Sequence, residues 1–155
     1  MGQPTSFFVG CALNLIPANP EDEIKNLGRK LRAGADFILT QPVYEAGPAL
    51  AFLDRARNEL GSLDVPVIVG VLPLVNPRHA AFLHHEVPGI DIPEKTLKRM
   101  EDSGENAART GREIAIELIQ QLRGSINGVY LMPAFSRYDL IAEVIDNIAT
   151  HEPVS

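Results

Sequence analysis

Four short apolar segments, each followed by an amphipathic helical pattern, limit the fold of this 155-residue chain more than any other feature. These segments are predicted as strands over 6–12, 37–39, 65–72 and 128–132. The first and third are apolar nearly throughout, which is typical of parallel strands covered on both faces. Alternating strands and helices predict parallel strands joined by right-handed crossovers. The expected fold is α/β, a (βα)4 half of a TIM (β/α)8 barrel; an open flavodoxin-like sheet is the alternative.

A half barrel leaves two sheet edges and one sheet face without cover. Unpaired edges and large apolar faces favour association. We therefore expect the chain to pair with a missing half of the barrel, or with a second copy of itself as a homo-oligomer. A flavodoxin-like sheet, which has helices on both faces, would need neither partner.

Several helix boundaries carry their own sequence signals. Asn19 and Asn76 each precede a proline, so an asparagine cap with proline in the first turn is expected to begin two helices. Gly34 is expected in the left-handed conformation that ends a helix. Ser136 resembles a capping-box start for the last helix. That start would place Arg137 in the first turn, where unpaired N–H groups favour an anion.

Composition excludes several functions. A net charge of −6 without a Lys/Arg-rich run argues against nucleic-acid binding. The single cysteine, Cys11, cannot form an internal disulfide, and its position in a strand predicts a buried structural thiol. No segment approaches the roughly 20 apolar residues of a membrane span. We expect a cytoplasmic enzyme domain.

Candidate ligand-binding residues follow the second predicted strand. Thr40 and Gln41 lie at its carboxyl end, where parallel α/β folds bind ligands. Gln41 is the first site candidate, although a residue that only caps a neighbouring backbone group has the same pattern. His79, His84 and His85 lie on or next to one short helix without a convincing carboxylate partner. A solvated helix face is therefore favoured, and no metal site is predicted.

The chain resembles the carboxyl-terminal half of methylenetetrahydrofolate reductase. The resemblance is carried by FVGCALN at 8–14, AGADF leading to TQ at 33–41, GVLPL at 70–74 and GIDIP at 89–93. The TQPVY sequence at 40–44 is closest to reductase domains fused behind a homocysteine S-methyltransferase in bacterial bifunctional proteins. The resemblance implies that 1–155 is a single partial domain, strands five to eight of the reductase barrel with their helices, and that the amino-terminal half is absent.

The family implies a reaction and a set of substrate-binding residues. Its members pass a hydride from NADH or NADPH to FAD and reduce 5,10-methylenetetrahydrofolate to 5-methyltetrahydrofolate, a step in one-carbon and methionine metabolism. Gln41 matches a glutamine that contacts folate and nicotinamide, and one amide group can both donate to and accept from a pterin edge. His79 and Leu83 match positions that line the folate pocket. Arg137 matches an arginine near the folate tail.

Four further residues match cofactor-binding positions of the family. Lys30 and Asn26 correspond to residues that hold the phosphate and ribose region of FAD, and Glu23 to an acidic residue on the same helix face. Asn14 falls near a position that abuts the flavin. The family's catalytic glutamate and an aspartate near the flavin belong to the half that is absent. We therefore expect no catalytic residue in this half and no activity from the isolated chain.

Other functions stay open on the residues alone. A half barrel can be a non-catalytic binding or assembly module that dimerises through its sheet edges. A phosphate-binding barrel of the aldolase type would need a lysine at a strand end, and no predicted strand ends in one. A methyltransferase role needs a zinc-binding cysteine cluster, which one cysteine cannot supply.

Overall fold

The computed structural model describes residues 6–149, which form a parallel sheet with helices between its strands. The strands are β1 (Gly10–Leu13), β2 (Phe37–Pro42), β3 (Val67–Val71) and β4 (Gly128–Leu131). The helices are α1 (Pro20–Arg32), α2 (Ala46–Leu60), α3 (Pro77–Glu86), α4 (Glu94–Glu101), α5 (Ala107–Leu122) and α6 (Tyr138–Ala149). The strand order is β1-β2-β3-β4, and all neighbouring strands are parallel. The predicted α/β fold with four parallel strands is confirmed.

One face of the sheet carries the main core. Ile38 of β2 is fully buried there, in one cluster with Leu53 of α2 and Leu118 of α5. Helices α1, α2, α5 and α6 all contribute to this cluster. A second, smaller core includes Leu83 of α3 and Met100 of α4. The amphipathic helices therefore bury their apolar stripes mainly against one side of the strands.

The opposite face of the sheet is only partly covered. Leu39 follows Ile38 but is 37% exposed, and Gln41 on the same strand is exposed as well. Ala12 pairs with Leu39 in the β1–β2 register and is also exposed. A flavodoxin-like sheet has helices on both faces and a non-sequential strand order. This sheet has a sequential strand order and one face that is only partly covered, so the flavodoxin-like alternative is wrong.

β1 is shorter and more exposed than the sequence predicts. It begins at Gly10 instead of residue 6, and Phe7 and Phe8 before it are 76% and 74% exposed. The prediction of a first strand buried on both faces is wrong because β1 is an edge strand with a partner on one side. The Phe8 ring stacks on Phe37, with centroids 5.1 Å apart. Cys11 is half-buried, not fully buried as predicted.

Local hydrogen bonds form the predicted helix ends. The Asn19 side chain accepts a hydrogen bond from the Asp22 N–H, and the Asn76 side chain accepts one from the His79 N–H. Each asparagine is followed by proline, which has no N–H to leave unpaired in the first turn. Gly34 has a φ of +96°, so the predicted left-handed conformation after α1 is confirmed.

Candidate functional site

The carboxyl ends of the four strands lie along one edge of the sheet, and predicted site residues follow all four. Asn14 follows β1, Gln41 lies near the end of β2, His79 lies in the first turn of α3 after β3, and Arg137 follows β4. Parallel α/β folds place their ligands at this edge, because the loops there are free to vary while the strands hold them.

Asn14, Glu23, Asn26 and Lys30 form one group at the end of β1, here called the α1 cluster. Residues 23, 26 and 30 share a face of α1 because they are three and four positions apart. The Lys30 Nζ donates to the carbonyl of Ala12 at 2.6 Å, and the Asn14 N–H donates to the Glu23 Oε1 at 3.1 Å. The structure thus brings Lys30, Glu23 and Asn14 together at the end of β1. Asn26 lies on the same helix face, and its side-chain oxygen accepts a hydrogen bond from Arg29.

Cys11 lies close to the charges of the α1 cluster. Burial raises the pKa of its thiol, the positive charge of Lys30 lowers it, and the negative charge of Glu23 raises it. Burial is the largest of these effects, so the pKa lies above its ordinary value. A thiol is a poor nucleophile until it loses its proton. The protonated thiol is therefore the favoured form of Cys11, which suits a packing role.

The end of β2 contains a β-bulge. The β2–β3 register shifts between Leu39 and Pro42. Thr40 is buried inside the bulge, where its hydroxyl accepts from the Gly70 N–H at 3.1 Å and donates to the Gln41 carbonyl at 2.8 Å. A bulge bends its strand and changes the direction of nearby side chains. Gln41 lies on the exposed face with Leu39, as the alternation of side chains along β2 places it.

Tyr130 of β4 connects this edge across the sheet. Its hydroxyl donates to the Thr40 carbonyl at 2.6 Å, and a side chain at Gly70 would come within 2.9 Å of the same hydroxyl. Burial raises the pKa of Tyr130. Sequence reasoning missed this residue, because a contact between positions 90 residues apart leaves no local pattern.

A pocket of about 440 Å³ opens beside α3 and is lined by Asn76, Arg78, His79, Phe82 and Phe135. We call it the His79 pocket. Phe82 and Phe135 are both more than half exposed. Exposed aromatic rings beside polar groups are typical of small-molecule sites. The sequence reasoning missed both rings, although Phe82 lies directly before the predicted Leu83.

His79 itself is buried, with 7% of its surface exposed, which corrects the prediction of a solvated helix face. Its Nδ1 accepts a hydrogen bond from the Val75 N–H at 3.3 Å, and its ring meets the Phe135 ring edge-on at 5.0 Å. Burial lowers the pKa of His79 from its ordinary 6.5. A neutral imidazole is therefore the form favoured at neutral pH.

His84, His85 and Leu83 lie apart from the pocket lining. The His84 Nδ1 accepts from the Ile92 N–H at 3.2 Å, and His85 is exposed. Leu83 is buried in the second core, so α3 presents Phe82 to the pocket in its place. Within residues 6–149, no group of three His, Cys, Asp or Glu side chains is arranged to hold a metal ion. No helix in the same range has the length and apolar composition to cross a membrane.

A strained segment follows β4. Phe135 and Ser136 have φ values of 51° and 58°, a region that non-glycine residues rarely adopt. The last helix begins at Tyr138, so the predicted capping box at Ser136 is wrong and Arg137 precedes the helix. The Arg137 guanidinium forms a two-pronged pair with the Asp139 carboxylate, at 2.6 to 3.1 Å. This pair holds Arg137 beside the strained segment.

A larger cavity of about 610 Å³ lies away from these residues. It is lined by Gly128 at the amino-terminal end of β4, by Ile119 of α5 and by Ile145 and Ile148 of α6. Its lining is largely aliphatic and contains none of the predicted site residues. We assign it to packing at the β4 edge and not to the ligand site.

A sequence profile of the family described as "Methylenetetrahydrofolate reductase" matches residues 13–149. The chain belongs to this family. The match includes the α1 cluster, the β2 bulge and the His79 pocket, and the resemblance stated from the motifs is confirmed at the level of the family. The particular closeness to bifunctional reductases stays a prediction.

Curated members of the methylenetetrahydrofolate reductase family are similar over most of the chain. Methylenetetrahydrofolate reductase 1 of Schizosaccharomyces pombe is 28% identical over 77% of this chain and 20% of its own length. Methylenetetrahydrofolate reductase 2 of Saccharomyces cerevisiae is 31% identical over 66% of this chain and 17% of its own. The 5,10-methylenetetrahydrofolate reductase of Escherichia coli is 28% identical over 64% and 34%. The chain thus corresponds to about a third or less of each relative.

A solved structure supports the fold. An uncharacterised protein from Clostridium thermocellum, which binds two copies of 5-methyl-5,6,7,8-tetrahydrofolic acid, has a TM-score of 0.60 to this chain at 21% identity. The similarity covers 89% of this chain and 51% of that one. At this identity the likeness establishes the arrangement of strands and helices.

Proposed function

We propose that the chain forms half of the catalytic barrel of a flavin-dependent methylenetetrahydrofolate reductase. The intact protein uses NADH or NADPH to reduce 5,10-methylenetetrahydrofolate to 5-methyltetrahydrofolate. Family membership supports the reaction class. The observation that carries the proposal is the position of Gln41, which lies exposed at the end of β2, with β1 and the α1 cluster on one side and β3 and the His79 pocket on the other.

Gln41 is the residue that we assign to substrate contact. A carboxamide both donates and accepts hydrogen bonds, which suits a pterin edge that carries both kinds of group. It also suits the carboxamide of a nicotinamide ring. Gln41 lies on the face of β2 opposite the helix-packed core, so the amide can reach a ligand without losing a buried partner.

The α1 cluster fits the polar parts of FAD. An ammonium group has three donors, and Lys30 uses one on the Ala12 carbonyl, so the group has further donors for phosphate oxygens. Asn26 offers its amide N–H groups for a ribose hydroxyl, since its oxygen already accepts from Arg29. Glu23 offers an acceptor while it holds the backbone of Asn14. When bound, FAD supplies hydride acceptance and transfer. The residues of this chain supply its binding and orientation.

The His79 pocket fits the remaining part of a folate. Its exposed rings, Phe82 and Phe135, suit an aryl group, and the structural neighbour from Clostridium thermocellum binds a folate. Leu83 is buried in the second core, so we assign the contact with the ligand to its neighbour Phe82. Arg137 is assigned to the carboxylate tail. Because Arg137 is paired with Asp139, a ligand carboxylate would exchange with that side chain.

Catalysis is proposed to need the remainder of the barrel. None of the residues assigned above is a proton donor matched to the family's catalytic glutamate, and the chain corresponds to a third or less of its curated relatives. The isolated chain should therefore lack NADH:menadione reductase activity. A normal rate from the purified chain would contradict this part of the proposal.

A non-catalytic assembly module is the second candidate. β1 and β4 are both edge strands, one sheet face is partly exposed, and Phe7 and Phe8 lie exposed beside β1. Such surfaces favour pairing of two half barrels. A stable dimer by light scattering that binds neither FAD nor folate would favour this candidate over the reductase.

Titration of the purified chain with FAD, followed by flavin fluorescence, tests the assigned cofactor site. Lys30→Ala should weaken binding about tenfold, because a charge-assisted hydrogen bond contributes about 1.5 kcal/mol or more. Lys25→Ala is the matched control, since Lys25 lies on the same helix with a side chain that is 71% exposed and pairs only loosely with Asp22, at 3.8 Å. Equal effects of the two substitutions would remove the assignment of Lys30.

A further inference from the structure

The loop between α3 and α4, residues 87–93, packs against the candidate substrate residue. The Ile90 N–H donates to the Val87 carbonyl at 3.2 Å, which closes a turn with Pro88 and Gly89 at its centre. Gly89 has a φ of +83°. Proline followed by a residue of positive φ is the pattern of a type II turn, which strongly prefers glycine at the second central position.

The base of this loop is fixed. The Ile92 side chain is buried in the second core, and its N–H donates to the His84 Nδ1 at 3.2 Å. The turn at Gly89 is therefore held at a set distance from the end of β2.

Gly89 lies directly against the side-chain amide of Gln41. A Cβ built on Gly89 would lie 3.1 Å from both Cδ and Nε2 of Gln41 and would overlap its Oε1. Real Cβ atoms essentially never approach another heavy atom closer than 3.0 Å. Glycine is therefore favoured here by the backbone angle, and a Cβ at this position would force the end of the flexible Gln41 side chain to move.

We propose that Gly89 is a positioning residue, whose missing side chain lets the 87–93 loop pack on the Gln41 amide and set its direction. The Thr40 hydroxyl donates to the backbone carbonyl of Gln41, and the turn at Gly89 contacts the Gln41 side-chain amide. A side chain at position 89 displaces the amide, because its Cβ would overlap the Gln41 Oε1. The functional meaning of this placement rests on the proposed role of Gln41 in substrate binding.

The chain offers a matched control for the backbone strain. Gly61 has a φ of +81°, nearly the same as Gly89, but a Cβ there would meet nothing within 4 Å. Gly89→Ala and Gly61→Ala therefore impose similar left-handed strain, and both should lower the melting temperature by about 2–4 °C. Only Gly89→Ala should also displace Gln41.

The direct test is the side-chain amide signal of Gln41 in the ¹⁵N spectrum of the whole chain, assigned by its loss in Gln41→Ala. Gly89→Ala should shift or broaden this signal, and Gly61→Ala should leave it in place. Unchanged Gln41 signals in a folded Gly89→Ala chain would overturn the proposal. This readout needs no ligand, so it is independent of the proposed reductase function.

A double variant covers the case in which Gly89→Ala does not fold. Removing the Gln41 side chain removes the overlap, so Gly89→Ala/Gln41→Ala should fold and melt close to Gly61→Ala/Gln41→Ala. A double variant that is still unfolded would also overturn the proposal, since the defect would then not lie in the Gln41 contact.

Binding of 5-methyltetrahydrofolate connects the inference to function. Gly89→Ala should weaken binding about tenfold in the wild-type chain and should have no further effect once Gln41 is alanine. If the unsubstituted chain binds no folate while the amide signal still moves in Gly89→Ala, the assignment of Gln41 to folate binding by this half barrel fails and the positioning role stands. If folate binds and only Gln41→Ala weakens it, the positioning role fails.

Discussion

The two faces of the sheet differ more than the sequences of the strands suggest. Ile38 and Leu39 are consecutive aliphatic residues of β2, yet the first is fully buried under the helices and the second is 37% exposed on the other face. Val67 and Val69 on the helix side are fully buried, whereas Ala12 on the other side is exposed and Ile68 is only half-buried. The first face stabilises the fold, and the second leaves room for the site.

Substituting the two neighbours on β2 is the strongest test of this difference. Ile38→Ala should lower the free energy of unfolding by about 2–5 kcal/mol, because it leaves a cavity in the main core. Leu39→Ala should lower it by less than about 1 kcal/mol, because its side chain is partly solvated already. Urea denaturation of both variants gives the comparison. Equal losses would mean that the second face is as tightly packed as the first.

Thr40→Val tests the hydrogen bonds that hold the bulge between the two faces. Valine has nearly the same shape but leaves the buried Gly70 N–H without its acceptor, so a loss of about 1–3 kcal/mol is expected. Thr40→Ser keeps the hydroxyl and is the control. A Thr40→Val chain as stable in urea as the wild type would show that the hydroxyl does not support the bulge.

The smallest expected effect is the pH dependence of the free energy of unfolding, which comes from His79 at the carboxyl edge of the sheet. Because burial lowers the pKa of His79, the unfolded chain binds a proton more readily than the folded chain does. The free energy of unfolding should therefore fall as the pH drops below about 6.5, until the folded-state pKa is passed. His79→Gln should reduce this slope between pH 7 and 5, and the exposed His85→Gln should not. Parallel slopes in all three chains would contradict the burial of His79.

Local signals in the sequence predicted much of the fold. Asparagine followed by proline marks the starts of α1 and α3, because the asparagine cap is a contact between residues three positions apart. Gly34 ends α1 for a similarly local reason. The first strand was placed too early because an apolar sequence does not show whether a strand lies at the edge or the centre of a sheet, and Phe7 and Phe8 are exposed.

The site was predicted less completely than the fold. The spacing of Glu23, Asn26 and Lys30 puts them on one helix face, so their grouping follows from the sequence once α1 is placed. The exposed rings of the His79 pocket, the hydrogen bond from Tyr130 to β2 and the contact of Gly89 with Gln41 all join distant parts of the chain. Such contacts depend on how the strands, helices and loops pack together, which no local sequence pattern encodes.

The sequential order of the strands also affects how the chain folds during its synthesis. Each strand after β1 pairs with the strand synthesised just before it. Gly10 and Phe37 pair across 27 positions, and Ile68 and Gly128 across 60, so these contacts are non-local and slow to form. Partly made chains are safest when early segments find partners early. A ribosome-bound chain can therefore add one strand and helix at a time to a sheet that already exists.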